Sequence, residues 1–256
     1  MKKTFAEKHP YIAVILSSMF CTFMTALGMA VTQIMGLTGE SVYNVATIAL
    51  LVSVAIGFLI MKRSKFKLSE YGFRMSEKGS RRKIWWYAPL IAIEVIPIAV
   101  YGFSKDVMLL QYITVGIFTI TVGFNEEIYF RGIALRFLMG KGQKKAIIVS
   151  SVIFGLLHLA NALNGKDMLY LVLQMLFAFL VGLVLAEIVS IGKSLWPAIV
   201  WHAAHDFISI ATGESLDRAA LIILAIQVAI LLIYAAGIWK QSENGRDTSH
   251  NLPENP

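Results

Sequence analysis

Eight apolar segments, each close to the ~20 residues a helix needs to cross a bilayer, occupy most of this 256-residue chain. They run over about 11–37, 42–61, 84–103, 107–130, 145–163, 168–190, 194–211 and 218–239. Hydrocarbon offers no partner to backbone N–H and C=O groups, so such segments must close their hydrogen bonds within themselves, as helices. Hydrophobic residues make up 57% of the chain and charged residues 15%, against ~25% charged in an ordinary soluble domain. A soluble chain of this length needs a larger polar shell. Disordered chains, nucleic-acid-coating proteins and most soluble enzymes are thereby excluded. The expected fold is all-α, a polytopic transmembrane helix bundle of about eight spans.

The distribution of the 23 Lys and Arg residues sets the orientation. With loops on alternate sides, one face receives Lys2, Lys3, Lys8, the cations of 62–83 and 131–145, Lys193, Lys240 and Arg246. The other receives only Lys105, Lys166 and Arg218. Positive charge stays cytoplasmic, so both termini are expected inside, which requires an even number of spans. The first apolar run is too long for a cleaved signal and seven more follow, so it reads as a retained helix. The basic 62–83 loop reads as an anchor to anionic lipid headgroups, not a nucleic-acid patch. Trp85-Trp86-Tyr87 reads as an interfacial belt, and the polar tail 240–256 as disordered. The single cysteine, Cys21, can form no internal disulfide and reads as an ordinary apolar residue.

Ionisable side chains inside spans are costly, about 2.5–3.5 kcal/mol each on insertion scales, and so mark function. Three clusters stand out: Asn125-Glu126-Glu127 through Arg131, Phe154 through His158 with Asn161 beyond it, and His202 through His205-Asp206. On a helix Glu127 and Arg131 are four apart and can pair. Glu126, turned by ~100°, is left without a local partner, which suits a general base. His202 and Asp206 also share a face. That face could bind a metal, orient an imidazole or stabilise an oxyanion. Together the clusters fit water activation and peptide hydrolysis. Glu94, Gln174 and Glu187 read as helix contacts or helix ends.

In order and rough spacing, Glu126-Glu127-x-x-x-Arg131, Phe154-x-x-x-His158 and His202-x-x-x-Asp206 resemble the CPBP family of intramembrane proteases. That family includes the type II CAAX prenyl endopeptidases and Abi-like proteins of bacteriocin processing and immunity. Ser69-Glu70-Tyr71-Gly72-Phe73 and Ser194-Leu195-Trp196-Pro197 add to the likeness. The resemblance implies that Glu126 activates the hydrolytic water, that His158 holds it, and that His202 stands near the carbonyl oxygen. It places Asp206 where CAAX-type enzymes carry asparagine, an exchange of a donor for an acceptor. Glu127 and Arg131 take supporting roles, as do Asn161, expected to line the cavity, and His205.

The expected organisation is N-terminal helices and basic loop over 1–106, a CPBP-like catalytic core over 107–211, a last helix over 212–239 and a tail over 240–256. The expected location is a prokaryotic plasma membrane. The expected partners are membrane lipids and a peptide or protein substrate, with or without a lipid modification, and no nucleic acid. H-E-x-x-H is absent, yet Glu126, His158, His202 and Asp206 could form a mixed site for a divalent metal such as zinc. Metal-independent water activation is the favoured reading. A non-catalytic immunity protein and a proton-coupled transporter are the alternatives. Straight helices would place His158 ~20 Å and His202 ~12 Å from the cytoplasmic ends. Tilt, offset ends or a break near Gly123 is needed to level them, and the chain after Arg131-Gly132 is expected along the cytoplasmic interface.

Overall fold

The computed structural model describes residues 4–104, 107–165, 167–213 and 217–243. The tail segment 244–256 lies outside the described residues, as do Lys2, Lys3, Lys105 and Lys166. Among the described residues the protein is helical, with no strand. The elements are α1 (Phe5–Lys8), α2 (Pro10–Ile34), α3 (Glu40–Arg63), α4 (Ser80–Lys83), α5 (Ala88–Tyr101), α6 (Leu109–Glu127), α7 (Leu135–Leu138), α8 (Gln143–Leu157), α9 (Met168–Gly192), α10 (Trp196–Thr212) and α11 (Arg218–Glu243). Helix occupies all eight apolar segments. Five helical stretches among the described residues are long and apolar enough to span a membrane: Pro10–Ile34, Glu40–Arg63, Gln143–Ala162, Met168–Gly192 and Arg218–Gln241.

Local chemistry sets the boundaries. Pro10 opens α2 at a position whose N–H would have no helical partner. Lys62 and Arg63 close α3 where the helix dipole favours cations. The third segment does not begin as a helix: Trp85, Trp86 and Tyr87 all lie at positive φ (50°, 54° and 61°). Trp86 of this left-handed turn is 63% exposed, while Trp85 packs on the Tyr234 ring at 5.5 Å.

The helices form a closed series of packed neighbours, in the order α2, α3, α6, α10, α5, α11, α9, α8 and back to α2. The chain does not break at Gly123. α6 runs unbroken from Leu109 to Glu127 and then widens into a π-helical segment, Ile128–Ala134. Gly123 is instead a point of close approach: a Cβ there would stand 2.9 Å from the Ile199 carbonyl oxygen and 3.1 Å from the Ala203 nitrogen. This lets α6 press against α10. Every residue of the π segment is buried, and it touches α2, α3, α8 and α9. The π segment is therefore interior through Ala134; beyond it Arg136, Phe137 and Met139 are half-buried, and Gly140 and Lys141 are exposed. Its apolar neighbours Met61, Tyr71, Phe154 and Ala178 form one continuous core with Ile128, Tyr129, Phe130 and Ile133.

The basic 62–83 loop is tied to this scaffold. Arg136 pairs with Glu70 at 2.5 Å and covers the Phe66 ring at 3.8 Å. Leu195 donates its N–H to the Gly72 carbonyl at 2.8 Å, and Ser194 its hydroxyl to the Arg74 carbonyl at 2.7 Å. All nine cations of the loop remain exposed.

Candidate active site

Four elements meet beside the π segment: the end of α6, the end of α8 with the tight turn that follows it, α10, and α2. Glu127 and Arg131 pair at 2.9 Å, four residues apart, with their side chains 0% and 1% exposed. The same oxygen, Oε1, lies 2.8 Å from His202 Nδ1. Arg131 also rests over the Phe154 ring, its guanidinium carbon 4.1 Å from the ring centroid.

One step along the chain, Glu126 faces differently. Its Oε2 lies 3.6 Å from His202 Nε2 and makes no hydrogen bond. Asp206 Oδ2 lies 3.7 Å from the same Nε2. Because a carboxylate accepts, the short contact to Glu127 fixes the proton on Nδ1. His202 Nε2 is then turned toward two acids, neither within direct hydrogen-bond distance.

His158 closes α8. Its Nδ1 donates to the Phe154 carbonyl at 2.8 Å, which makes Nε2 the acceptor nitrogen. From His158 to Asn164 the chain winds as a tighter 3₁₀ helix. The rings of His158 and His202 both stand edge-on to Phe154, with centroids at 4.6 and 6.0 Å. The two histidines thus meet the same Phe154 ring without a break in α6. Glu126, His158 and Asn161 line a narrow cleft of about 60 Å³, with Phe154 and residues of α2 completing its wall. Asn161 donates to Gln174 Oε1 at 2.9 Å.

Not every candidate joins this cluster. His205 pairs through Nδ1 with Glu94 of α5 at 3.0 Å and stacks on Trp201 at 5.0 Å with a 14° interplanar angle. Glu94 is thus a helix contact, joining α5 to α10. Glu187 is fully buried, and neither of its oxygens makes a hydrogen bond among the described residues. Sequence reasoning also missed a link between α2 and α6: the Asn125 amide donates to Cys21 Sγ at 3.2 Å. The clue available was Asn125 itself, a buried amide in need of partners.

Glu126 and Asp206 both face His202 Nε2, while Glu126 and His158 line the cleft. Among the described residues no group of three or more His, Cys, Asp or Glu side chains is disposed to hold a metal ion.

Residues 108–208, which span α6 through most of α10, match the family model described as type II CAAX prenyl endopeptidase, Rce1-like. Over that segment the chain is similar to the Rce1-like CAAX endopeptidases. No curated protein matches the chain. The Rce1-like domain includes Glu126, Glu127, Arg131, His158, His202 and Asp206, and leaves α2, α3 and α5 outside it. Cys21 of α2, which binds Asn125, and Glu94 of α5, which binds His205, lie outside the matched segment.

Proposed function

We propose that this protein is an intramembrane endopeptidase that hydrolyses a membrane-associated peptide through water activated by Glu126 and His158. The observation that carries this reading is the cleft they share, backed by an imidazole whose Nδ1 is held by Glu127. The chain crosses the membrane eight times, with both termini and the 62–83 loop on the cytoplasmic side, where the cations gather.

A water in the cleft is held by the acceptor Nε2 of His158 and gives a proton to Glu126. The resulting hydroxide adds to the carbonyl carbon of the scissile bond. His202, with a second proton on Nε2, donates to the oxyanion that forms. Asp206 sits across from that nitrogen and holds the proton in place before the carbonyl oxygen arrives. Glu126 then returns its proton to the amide nitrogen as the C–N bond breaks, leaving an acid and an amine. Glu127, neutralised by Arg131, keeps the His202 tautomer throughout. No step requires a metal.

The test is cleavage by protein reconstituted in lipid vesicles. Glu126→Gln and His202→Ala should each lower kcat by about 10²–10⁴. Full activity in either variant overturns the mechanism.

A further inference from the structure

One wall of the cleft comes from outside the Rce1-like domain: Thr22, Thr25, Ala26 and Met29 of α2. These positions fall on one helical face. The face is pinned at both ends. At one end Cys21 takes the amide hydrogen of Asn125, the residue before Glu126. At the other, Gly28 lets α2 close on α3, where a Cβ would stand 3.1 Å from Ala49 Cβ and 3.2 Å from Ala46 Cα. α2 therefore neither slides past Glu126 nor retreats from it without losing a contact.

The cleft is tight. Its ~60 Å³ gives room for a few waters, so a bulky side chain carried in beside the reacting water meets the α2 wall, whereas a small one does not. Its walls also offer acceptors. Thr25 donates its hydroxyl to the Cys21 carbonyl at 3.2 Å, so toward the cleft it can only accept. Asn161 gives an amide hydrogen to Gln174, which keeps its own carbonyl oxygen for other partners. An extended substrate loses the hydrogen bonds of water and needs such acceptors for its N–H groups.

We propose that α2 is the specificity-determining wall of the cleft, selecting peptides with Gly, Ala or Ser beside the scissile bond and leaving any attached lipid chain outside, in the bilayer. This rests on the endopeptidase reading and adds the substrate class. The probe is an alanine hexapeptide with lysine ends and its single leucine and phenylalanine variants. Binding is measured first on the Glu126→Gln protein, which reads the wall without the chemistry, and cleavage then on wild type. At one or two adjacent positions phenylalanine should weaken binding at least tenfold. Ala26→Gly should recover most of that loss, and Ala26→Leu should extend the discrimination to leucine. Thermal melting of each variant confirms that it is folded, and Ala26→Gly carries the test if Ala26→Leu is not. Equal binding of all peptides, binding of none, or a profile unmoved by Ala26→Gly overturns the proposal. Cleavage that survives Glu126→Gln overturns the endopeptidase mechanism instead and leaves the binding profile to stand on its own.

Discussion

Glu127 and His202, 75 residues apart in the chain, share a 2.8 Å contact between a carboxylate oxygen and Nδ1, and that oxygen also takes a hydrogen from Arg131. One acid thus joins α6, the π segment and α10. The contact decides which imidazole nitrogen faces Glu126 and Asp206, so it links packing directly to chemistry.

The pairing makes Arg131→Met strongly destabilising. It leaves a carboxylate that is 0% exposed with His202 but no fixed cation beside it, and breaking a buried pair costs about 3–5 kcal/mol. Glu127→Gln combined with Arg131→Met should cost clearly less than Arg131→Met alone, because no buried charge is left unpaired. Denaturation of the single and the double variant beside the wild type in detergent measures this. Equal losses for the single and double variants would show that the pair is not coupled.

Glu127→Gln tests the charge on the imidazole. The carboxylate at Nδ1 favours the doubly protonated ring that donates from Nε2, and an amide does not. With only a neutral donor left for the oxyanion, kcat should fall by about 10²–10³, with KM nearly unchanged. A variant altered only in KM would place Glu127 in substrate binding instead.

Much of this was legible in the sequence, for local reasons. Span-length apolar runs dictate helices because lipid satisfies no backbone group, and helices fill all eight segments. Glu127 and Arg131 are visible as partners because four residues are about one helical turn. Contacts across helices carry no such spacing rule. Nothing local joins Glu127 to His202, Glu94 to His205 or Asn125 to Cys21. Gly123 shows the limit in another way. As a residue type it suggests a break, but its lack of a Cβ serves a close helix contact. The π segment is equally hidden, since Ile128–Ala134 reads as an ordinary helical run.

Gly123→Ala should separate α6 from α10. A new Cβ would stand 2.9 Å from the Ile199 carbonyl and 3.1 Å from the Ala203 nitrogen, and overpacking of this kind costs about 1–3 kcal/mol. The shift acts on the helix pair that carries Glu127 and His202, so kcat should fall more than stability alone explains. Cleavage rates and melting curves of the same preparation test this. Wild-type kcat in a destabilised variant would show that the contact is structural only.

The proposed topology is open to labelling. In a Cys21→Ala background, Arg81→Cys and Lys141→Cys should react with a membrane-impermeant maleimide only after the cells are opened. Ser104→Cys should react in intact cells. Native Cys21, 1% exposed, should react only after denaturation. Labelling of Ser104→Cys and Arg81→Cys from the same side would break the alternation that eight spans require.

Chelation addresses the nature of the reaction itself. His158 spends Nδ1 on the Phe154 carbonyl and His202 spends Nδ1 on Glu127, which leaves each Nε2 facing outward, an arrangement that serves a held water or a metal ion alike. If water is activated by Glu126 and His158 alone, then o-phenanthroline and EDTA should leave kcat within twofold of the untreated protein. Elemental analysis of the active preparation should find well under one zinc per chain. Loss of activity on chelation, restored by adding zinc, would overturn the metal-independent mechanism.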